Sequence, residues 1–452
     1  MNLRKEDYVA TKYDLIVVGS GPGGSATAKV AAEKGLKVLL LERAKTAGDK
    51  NMSGSIFFKP IFEDVFPGMS KQNFVALEPM KILEGGLICD DGNYIGVMGK
   101  TPGQQNWVFI FRNESDRWLA EQAAKAGAEL RTSCCVRDVI KEGDTIKGVI
   151  VDGGKRIEAP ITIAADGLHS VVSRRSGLRG NWPIQKINLC VKYIYKMPQA
   201  VQRDRFGLQP GQGGGFGFYR MGPLVTACAI LPYPPRDVIV VSFYMHRTAE
   251  MADARVNVHQ TVQWWLKQPK IQAWLKGAEF VYFNAHSLGD AEWEGYQKKT
   301  YMNGLMVVGD AAGMANAFEG FGANCAVHAG RWAAEVAAEA IRKRDYSEKV
   351  LVEYQNKWTN SFITEDDEMS CAISKIFMHG NMQGIVETVI RMFDKFFDVK
   401  GEDKPYPQIL ISEMGELLPI LPDLARMGTV VPPVLKNLTD KIKPFQALLG
   451  GK

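Results

Sequence analysis

The chain has 452 residues, of which 46% are hydrophobic and 23% are charged, and its formal net charge is +5. This composition is ordinary for a soluble globular protein, and the length suits two or three domains or one large core with insertions. A net charge this small, without a long basic run, argues against nucleic-acid binding.

Targeting and metal-binding patterns are not evident. Residues 1–12 are charged and lack the apolar core of a signal peptide. No run of about 18 apolar residues occurs, so the sequence predicts no bilayer-spanning helix. The seven cysteines are scattered and match neither an iron–sulfur cluster nor a paired zinc site. We therefore expect reduced thiols, including the vicinal pair Cys134–Cys135, and a cytoplasmic location.

The first motif is a strand–turn–helix–strand unit in residues 13–43. A short apolar strand leads into Gly19, Gly21 and Gly24, which form a G-x-G-x-x-G turn before an alanine-rich helix. Gly19 allows the tight turn, Gly21 lets a pyrophosphate approach the backbone, and Gly24 lets the helix pack on the strand. The helix N-terminus offers free N–H groups to phosphates. The unit predicts a dinucleotide site.

The second strand of this unit ends at Glu42 and Arg43. A carboxylate here accepts hydrogen bonds from ribose hydroxyls, which favours FAD or NAD over NADP, whose 2′-phosphate it would repel. The polar loop 44–54 follows, and in it Lys50 and Asn51 are candidates to reach phosphates or a flavin ring. The alternative for these two residues is a solvated loop.

The next elements alternate between strands and helices. In chain order we expect a helix over 56–66, antiparallel strands within 75–99, a helix over 112–127 capped by Asn113 or Ser115, a strand over 129–137, and a hairpin pairing 146–151 with 156–165. The hairpin ends in Asp166-Gly167, which predicts a second turn beside a cofactor. Val136 is a candidate backbone contact to adenine, with plain core packing as the alternative.

Residues 188–286 change in character. Aromatic strands and glycine-rich turns, such as the run from Gly211 to Tyr219, predict a second, mostly antiparallel sheet with a helical insert over 258–276. The chain then returns to the first domain through a strand over 305–308, Gly309-Asp310 and a helix over 324–342. Asp310 follows a strand end, where a carboxylate binds ribityl or ribose hydroxyls.

The C-terminal quarter is predicted to be helical and then rich in Pro and Leu. Residues 348–397 favour helix, and 404–452 carry prolines among apolar pairs, with lysines at 436, 441 and 443. Two interpretations compete for this tail. It either clamps over the core or forms an interfacial membrane patch with basic flanks. The sequence favours the clamp.

Three segments together resemble a known fold. They are GSGPGG at Gly19, AADG at Ala164 and VVGDAAG at Val307, with a sheet inserted between the last two. This order resembles the glutathione-reductase-like FAD fold of p-hydroxybenzoate hydroxylase and geranylgeranyl reductase. Asp166-Gly167, Ser170 and Arg174 look like the D-G-x-x-S-x-x-x-[RK] motif of that branch.

The implied fold class is α/β, with a Rossmann-type FAD-binding domain, an inserted antiparallel β-sheet substrate domain and a helical C-terminal region. We expect the FAD-binding domain in residues 1–74, 100–180 and 300–345. The sheet domain, on the substrate or quinone side, takes 75–99 and 181–299, and 346–452 forms the C-terminal region.

Further segments resemble the FixC proteins. These are residues 48–54 (GDKNMSG), the helix 112–123, the run 204–209 (DRFGLQ) and the run 309–314 (GDAAGM). Ser115 stands where the FixC helix has Phe. FixC proteins are relatives of electron-transfer flavoprotein–quinone oxidoreductase. The resemblance implies FAD, electrons taken from an electron-transfer flavoprotein, and delivery to a membrane quinone, with possible peripheral membrane contact. The cysteines of a ferredoxin-like module are missing, which places any iron–sulfur cluster on a separate subunit.

The resemblance and the motifs together give one set of candidate cofactor contacts. It comprises Gly19, Gly21, Gly24, Glu42, Arg43, Lys50, Asn51, Arg112, Val136, Asp166, Gly309, Asp310, Gly322, Ala323 and Asn324. The segment 319–324 is expected to place backbone N–H groups near the flavin. No general acid or base and no metal ligand is assigned, and His169 and His328 are interpreted as structural.

Three functions compete at this stage. The first is a FixC-like electron-transfer subunit, the second is a reductase of prenyl-lipid double bonds, and the third is a flavin monooxygenase. The glycine-rich run from Gly211 to Tyr219 suits an apolar pocket in either of the first two. The third needs a hydride from NAD(P)H, and no second dinucleotide motif is present, although many such monooxygenases also lack one.

Overall fold

The computed structural model describes residues 13–49, 55–76, 80–88, 92, 94–100, 107–220, 226–245, 248–289, 299–314, 322–361 and 363–364. Their strands are β1 Leu15–Val18, β2 Val38–Leu41, β3 Ser55–Phe58, β4 Val75–Ala76, β5 Met80–Ile88, β6 Tyr94–Lys100, β7 Trp107–Ile110, β8 Glu129–Arg131, β9 Val136–Glu142, β10 Thr145–Val151, β11 Arg156–Glu158, β12 Ile161–Ala164, β13 Ile187–Lys196, β14 Gly213–Arg220, β15 Thr226–Tyr233, β16 Val238–Met245, β17 Glu279–Gly289, β18 Tyr301–Met302 and β19 Leu305–Val307. Their α-helices are α1 Pro22–Glu33, α2 Lys59–Val65, α3 Arg112–Lys125, α4 Val171–Arg175, α5 Gln199–Phe206, α6 Thr248–Asp253, α7 Val258–Leu266, α8 Pro269–Leu275, α9 Gly322–Lys343 and α10 Glu348–Thr359.

A six-stranded sheet forms the centre of the first unit. Its order is β18-β19-β12-β1-β2-β8, and every pair is parallel except β18 with β19. Strands β1, β2 and β12 are buried along their whole length, as expected for a parallel sheet covered on both faces. The carboxyl ends of β1, β12 and β19 therefore meet at one edge of the sheet.

Helices α1 and α9 pack closely on this sheet because glycines face each other. A Cβ added at Gly330 of α9 would overlap the carbonyl oxygen of Gly23 in α1. Helix α10 is fixed to the same sheet by Tyr354, whose buried hydroxyl donates a 2.7 Å hydrogen bond to the carbonyl of Val307. The last residues of β19 are thus held by a helix that follows much later in the chain.

A seven-stranded sheet forms the second unit, in the order β17-β13-β16-β15-β14-β5-β6. It is antiparallel except where β14 runs parallel to β5, so two strands from early in the chain complete it. Helices α7 and α8 cover one face, where the indole N–H of Trp265 bonds Thr226 Oγ1 at 3.1 Å. The boundaries given above for the three regions of the chain stay predictions.

The other face of this sheet contacts the first unit, and we call it the inner face. It carries Ile194, Leu231 and Tyr233 over the start of α3. The ring of Tyr233 lies 4.7 Å from that of Phe111, the residue before α3. The inner face therefore faces the end of the six-stranded sheet where the loops after β1, β12 and β19 lie.

Several local predictions differ from the structure. The predicted helix over 56–66 begins only at Lys59, because β3 pairs with β7 before it. The predicted strand over 129–137 breaks at Ser133, whose φ of +50° cannot continue a strand. As a result β8 joins the six-stranded sheet, whereas β9 joins a separate sheet with β10 and β11.

Two further predictions were wrong in detail. Helix α3 has Phe111 at its N-cap and no side-chain cap, so neither Asn113 nor Ser115 caps it. The predicted hairpin partner 156–165 is divided, because only β11 pairs with β10 in the hairpin. The following β12 instead runs parallel to β1 in the central sheet. Residues 365–452, including the Pro- and Leu-rich tail, lie outside the described part of the chain.

Candidate functional site

The glycine turn after β1 has the shape of a phosphate cradle. Gly19 has a φ of +98°, and a Cβ there would overlap the carbonyl oxygen of Ala165. A Cβ at Gly24 would overlap the carbonyl oxygen of Gly19. At Gly21, the N-cap of α1, no described atom lies within 4 Å of an added Cβ. Open space is thus left in front of the N-terminal N–H groups of α1, where a pyrophosphate would bind.

Glu42 ties this turn to the end of β2. Its Oε2 accepts hydrogen bonds from Ser20 Oγ at 2.7 Å and from Ser20 N at 3.2 Å. Its Oε1 accepts one from Ala44 N at 2.8 Å. Each carboxylate oxygen accepts more than one hydrogen bond, so Glu42 keeps acceptor capacity for ribose hydroxyls. Arg43 beside it is exposed.

A buried ion pair stands at the start of α3. Arg112 Nη2 and Nε donate to the two carboxylate oxygens of Asp116 at 2.8 and 3.0 Å, and the Asp116 side chain is fully buried. Burial raises the pKa of Asp116, and the Arg112 guanidinium opposes that rise. Burial by itself lowers the pKa of Arg112, but Asp116 and the more distant Asp310 raise it overall. Arg112 therefore joins α3 electrostatically to the turn after β19.

Asp166 accepts hydrogen bonds from the first two N–H groups of the short helix α4, whose N-cap is Ser170. Its Oδ2 accepts hydrogen bonds from Val171 N at 2.8 Å and Val172 N at 3.2 Å. Its Oδ1 is buried and has no hydrogen-bond partner among the described atoms. Burial raises the pKa of Asp166, against the hydrogen bonds that it accepts. An acceptor left unpaired beside the glycine turn suits a hydroxyl donor from a bound cofactor.

The turn after β19 and the start of α9 complete this edge. Gly309 has a φ of +66°, and Asp310 follows it in a short 3-10 turn. Gly322, Ala323 and Asn324 form the first turn of α9. Asn324 also accepts a 3.1 Å hydrogen bond from Phe58 N through its side chain, which fixes α9 to β3.

Arg179 links two of these loops. Its Nη2 donates to the carbonyl of Leu168 at 2.8 Å, and its Nε donates to the carbonyl of Ala311 at 3.3 Å. The guanidinium also stacks on Trp182, 4.5 Å from the ring centre. Sequence reasoning missed this residue because no motif marks an arginine that bonds only backbone carbonyls.

The predicted site residues are distributed as follows. The structure gathers at one edge of the six-stranded sheet the residues Gly19, Gly21, Gly24, Glu42, Asp166, Gly309 and Asp310. Val136 is buried and is the first residue of β9, five residues after the end of β8. Lys50 and Asn51 lie outside the described residues, although Gly48 before them packs on the backbone of Asn113. The contacts of these residues with the cofactor stay predictions.

The inner face of the seven-stranded sheet adds polar residues that the sequence did not indicate. Strand register places Asn284, Lys192 and Ser242 side by side in one row across β17, β13 and β16. His286 and Tyr244 flank Cys190 in the neighbouring row. Lys192, in the middle of the apolar aromatic strand β13, was the signal that could have been used.

These polar residues are electrostatically coupled to Arg112 and Arg43, which lie by the carboxyl ends of the six-stranded sheet. Burial lowers the pKa of Lys192, which is 6% exposed, and Arg112 lowers it further. Burial also lowers the pKa of His286, and the electrostatic influence of His169, Arg112, Arg43 and Lys192 lowers it further. The polar part of the inner face therefore lies within range of both Arg112 and Arg43.

The same rows continue into an open, glycine-lined region. The row of Lys192 extends through Ala229, Gly217 and Gly85 to Val97 at the far edge of the sheet. No described atom lies within 4 Å of a Cβ added at Gly217, and only one does at Gly85. Val97 is 78% exposed. The inner face thus changes from buried and polar to open and apolar.

The edge described above fits FAD. A pyrophosphate has open backbone at Gly21, the ribose hydroxyls have Glu42, and the unpaired Asp166 Oδ1 and the carboxylate of Asp310 offer acceptors near the inner face. When bound, FAD supplies the transfer of a hydride or of single electrons. The protein residues contribute binding, orientation and the electrostatic environment.

Comparison with known proteins agrees with this assignment. The family described as FAD dependent oxidoreductase matches residues 14–178. FixC of Salmonella typhi is 29% identical over 361 residues, covering 76% of this chain and 80% of that protein. A digeranylgeranylglycerophospholipid reductase of Methanosarcina mazei is 30% identical over 389 residues, covering 81% and 85%.

Solved structures share the fold. A geranylgeranyl bacteriochlorophyll reductase-like protein of Thermoplasma acidophilum superposes with a TM-score of 0.69 at 21% identity, over 95% of this chain and 99% of that one. A halogenase, PltM, solved in complex with FAD, gives a TM-score of 0.60 at 14% identity over 89% and 86%. The described residues contain no helix able to cross a bilayer. The chain therefore belongs to the FAD-dependent oxidoreductases, in the group that contains the FixC proteins and the geranylgeranyl reductases.

Proposed function

We propose that this FAD-dependent oxidoreductase passes electrons from an electron-transfer flavoprotein to a membrane quinone, as a FixC-like subunit of a larger complex. The resemblance to FixC proteins supports the electron donor. The cysteine spacing supports a separate ferredoxin-like subunit as the carrier of any iron–sulfur cluster, since no cluster motif occurs in this chain. The proposed location is the cytoplasmic face of the membrane, with peripheral contact.

One observation carries the choice of a quinone. On the inner face the polar residues Lys192 and His286 are coupled to Arg112, whereas the glycine-lined region lies toward the opposite edge of the sheet. A quinone has a polar redox head and an apolar isoprenoid tail. Its head would occupy the polar region near the flavin, and its tail would extend over Gly217 and Gly85.

In a prenyl-lipid reductase the substrate would have to bind in the opposite orientation. Its reacting double bond is apolar and has to approach the flavin, while its polar head stays away from it. A buried lysine at the flavin end is better suited to a quinone than to a double bond, because a carbonyl oxygen accepts a hydrogen bond from the ammonium and an apolar reacting group does not. The orientation of the polar region therefore favours a quinone.

The prenyl-lipid reductase remains the second candidate, and a specific observation favours it. The open region lined by Gly85 and Gly217 would accept a lipid chain as readily as a quinone tail. The relative from Methanosarcina mazei, a digeranylgeranylglycerophospholipid reductase, is 30% identical to this chain. In that case the electrons would serve to saturate prenyl double bonds.

The experiment that separates these functions follows the reduced flavin under anaerobic conditions. The purified holoprotein is reduced with one equivalent of dithionite and mixed in a stopped-flow instrument with a short-tailed quinone or with a prenyl phospholipid in detergent. We expect saturable reoxidation by the quinone and none by the lipid. Reoxidation by the lipid alone, with formation of a saturated chain, would replace the proposal by the second candidate.

The proposed electron donor is tested separately. Reduced electron-transfer flavoprotein from a bacterium that encodes FixC proteins is mixed with the oxidised holoprotein, and the two flavins are followed by absorbance. Transfer should be second-order and should slow with added salt, as is typical of electrostatically guided docking. Absence of transfer at any salt concentration would reject this donor while leaving the quinone reaction unaffected.

A further inference from the structure

One segment of the chain carries a local excess of positive charge. Between Asp166 and Asp204 the sequence has seven lysines and arginines and no acidic residue. The formal charge of this segment therefore exceeds the net charge of the whole chain, which is +5, and the remaining residues are slightly acidic in sum. An asymmetry of this kind produces a positive potential where the segment reaches the surface.

Three cations of this region form a surface that we call the basic surface. They are Arg174 of α4, Arg179 in the segment after α4, and Lys141 of β9, the strand that packs on α4. Arg174 and Lys141 are exposed, and Arg179 is partly buried. Among the described residues, none of the three forms an ion pair with a carboxylate. Cations elsewhere, such as Arg331 and Arg342 of α9, are paired with carboxylates.

The cations of the basic surface are held in place by neutral oxygens. Arg174 Nε donates to the carbonyl of Ser170 at 3.1 Å, and its Nη1 donates to Asn181 Oδ1, also at 3.1 Å. Lys141 Nζ donates to the carbonyl of Ser176 at 2.9 Å. Because carbonyl and amide oxygens carry no net charge, these contacts orient the side chains without neutralising them. The positive charge therefore stays available to a partner.

The basic surface lies beside the cofactor edge. Arg179 donates to the carbonyls of Leu168 and Ala311, which follow Asp166 and Asp310 by two residues and by one. A protein bound here would therefore cover the loops after β12 and β19, which carry two acceptors predicted to contact FAD. The proposed quinone site lies instead on the seven-stranded sheet, to which none of the three cations belongs. Electron donor and electron acceptor would thus contact separate residues.

A cavity of about 330 Å³ opens at this surface. Its lining includes Arg179, Asn181, Trp182 and Lys299. Lys299 is paired with Glu348 at 2.7 Å. Arg179, in contrast, uses three of its five N–H groups on backbone carbonyls, which leaves two for a further acceptor. A carboxylate side chain that enters the cavity would meet a guanidinium without a counter-charge.

We propose that the basic surface is the docking site of the electron donor, a carrier protein with acidic residues around its redox centre. This inference rests on the proposed function and identifies the surface through which the donor binds. Positive charge beside the cofactor would attract such a carrier and orient its redox centre toward the flavin, and one of its carboxylate side chains would enter the cavity at Arg179. Charge pairing of this kind raises the association rate more than the affinity.

The test reverses two exposed charges and compares the result with a matched control. Arg174→Glu/Lys141→Glu changes the basic surface. Lys34→Glu/Lys37→Glu changes the net charge equally, at two exposed positions before β2 and thus at the opposite end of the six-stranded sheet. Flavin content and the thermal unfolding midpoint are measured first. If the reversal lowers either, Arg174→Gln/Lys141→Gln removes the charges and keeps polar side chains at both positions.

The first assay needs no partner protein. Each reduced holoprotein is mixed in a stopped-flow instrument with ferricyanide, a trianion, or with ferricenium, a cation, each of which accepts one electron. At low ionic strength Arg174→Glu/Lys141→Glu should slow the ferricyanide reaction about tenfold, within the range of electrostatic steering, and should not slow the ferricenium reaction. The difference should vanish near 1 M salt, where the screening length is about 3 Å. Lys34→Glu/Lys37→Glu should stay within about twofold of the wild type with both oxidants.

The second assay uses the proposed donor. Reduced electron-transfer flavoprotein is mixed with each oxidised variant, and the second-order rate constant is measured as the salt concentration is varied. Arg174→Glu/Lys141→Glu should lower this constant about tenfold or more at low ionic strength and should weaken its dependence on salt. Arg174→Lys keeps the charge and should keep both the rate constant and its salt dependence.

The outcomes separate this inference from the proposed function. A rate of transfer from the electron-transfer flavoprotein in Arg174→Glu/Lys141→Glu within about twofold of the wild type would overturn the docking site and leave the proposed function intact. An unchanged ferricyanide rate would overturn it as well, because the charges would then lie too far from the flavin. Direct reduction by NADH that depends on Arg174 and Lys141 would assign the surface to a nucleotide instead. A wild-type flavin that the donor does not reduce would reject both the donor and its docking site.

Discussion

Ser20 Oγ donates a 2.7 Å hydrogen bond to Glu42 Oε2, and this contact joins the glycine turn after β1 to the end of β2. The carboxylate thus stabilises the protein itself, in addition to its predicted role as an acceptor for ribose hydroxyls. It fixes the turn in which Gly19 and Gly21 present their backbone, and its second oxygen also holds the chain at Ala44. The cofactor edge is consequently preorganised by protein contacts alone.

Replacement of Glu42 by arginine should yield flavin-poor protein. The substitution removes the acceptor for ribose hydroxyls and for Ser20, and it places a positive charge beside Arg43. The ratio of flavin to protein absorbance after purification measures the effect. Ser20→Ala is the control, since it loses one hydrogen bond worth about 1 kcal/mol but keeps the carboxylate. Normal flavin occupancy in Glu42→Arg would remove the assignment of Glu42 to the cofactor site.

Two glycines of the same turn should respond differently to valine. Gly21→Val should fold and lack flavin, because no described atom is near the added Cβ, and the side chain would fill the pyrophosphate position. Gly24→Val should fail to fold stably, because its Cβ would overlap the carbonyl oxygen of Gly19. Circular dichroism melting and flavin content distinguish the two. A Gly21→Val protein with full flavin content would be incompatible with the predicted pyrophosphate position.

The buried pair of Arg112 and Asp116 should be costly to break from one side. Asp116→Asn leaves the guanidinium without its buried counter-charge, and we expect the free energy of unfolding to fall by about 3 kcal/mol or more. Urea denaturation followed by tryptophan fluorescence provides the measurement. The partly exposed pair Lys29–Glu33 is the comparison, where Glu33→Gln should cost less than about 1 kcal/mol. Equal losses of unfolding free energy in Asp116→Asn and Glu33→Gln would contradict the larger contribution expected of the buried pair.

Replacement of Arg179 should weaken FAD binding, although no contact between Arg179 and the cofactor is predicted. Arg179→Met removes the hydrogen bonds that link Leu168 to Ala311, so the loops that carry Asp166 and Asp310 should lose their fixed separation. We expect the FAD dissociation constant to rise about tenfold, which corresponds to about 1.4 kcal/mol, near the value of a single charged hydrogen bond. Apoprotein reconstitution followed by flavin fluorescence measures this constant. Arg175→Met, at an exposed neighbouring position, should leave it unchanged, and an equal change in both variants would exclude a specific role for Arg179.

Much of the cofactor edge could be predicted because its signals are local. Gly19, Gly21 and Gly24 are required within a few residues by one turn, and Glu42 is placed by the length of a helix and a strand. Asp166 and Asp310 follow the ends of apolar strands by two and three residues. The structure also shows that the α/β fold and the inserted sheet were predicted correctly. In each case the constraint acts between residues close in the chain, where hydrophobic period and turn chemistry are informative.

Predictions that depended on tertiary pairing were less successful. A continuous strand over 129–137 agreed with local propensity, but the positive φ at Ser133 divides it between two sheets. The apolar residues of 56–66 favoured a helix over the whole segment, yet residues 56–58 belong to β3, which pairs with β7. Strand pairing with distant segments outweighs local preference in both places.

By itself, the sequence determined that this protein has a dinucleotide edge, an inserted sheet and an acidic residue positioned for ribose. Only the tertiary structure decided what faces that edge. Lys192, His286 and Gly85 come from three distant segments, and they share one face solely because of the register across β17, β13, β16, β15, β14 and β5. A one-residue shift of register would turn each of these side chains to the opposite face. Such alignment between distant strands is set by the packing of the whole sheet and leaves no local pattern in the chain.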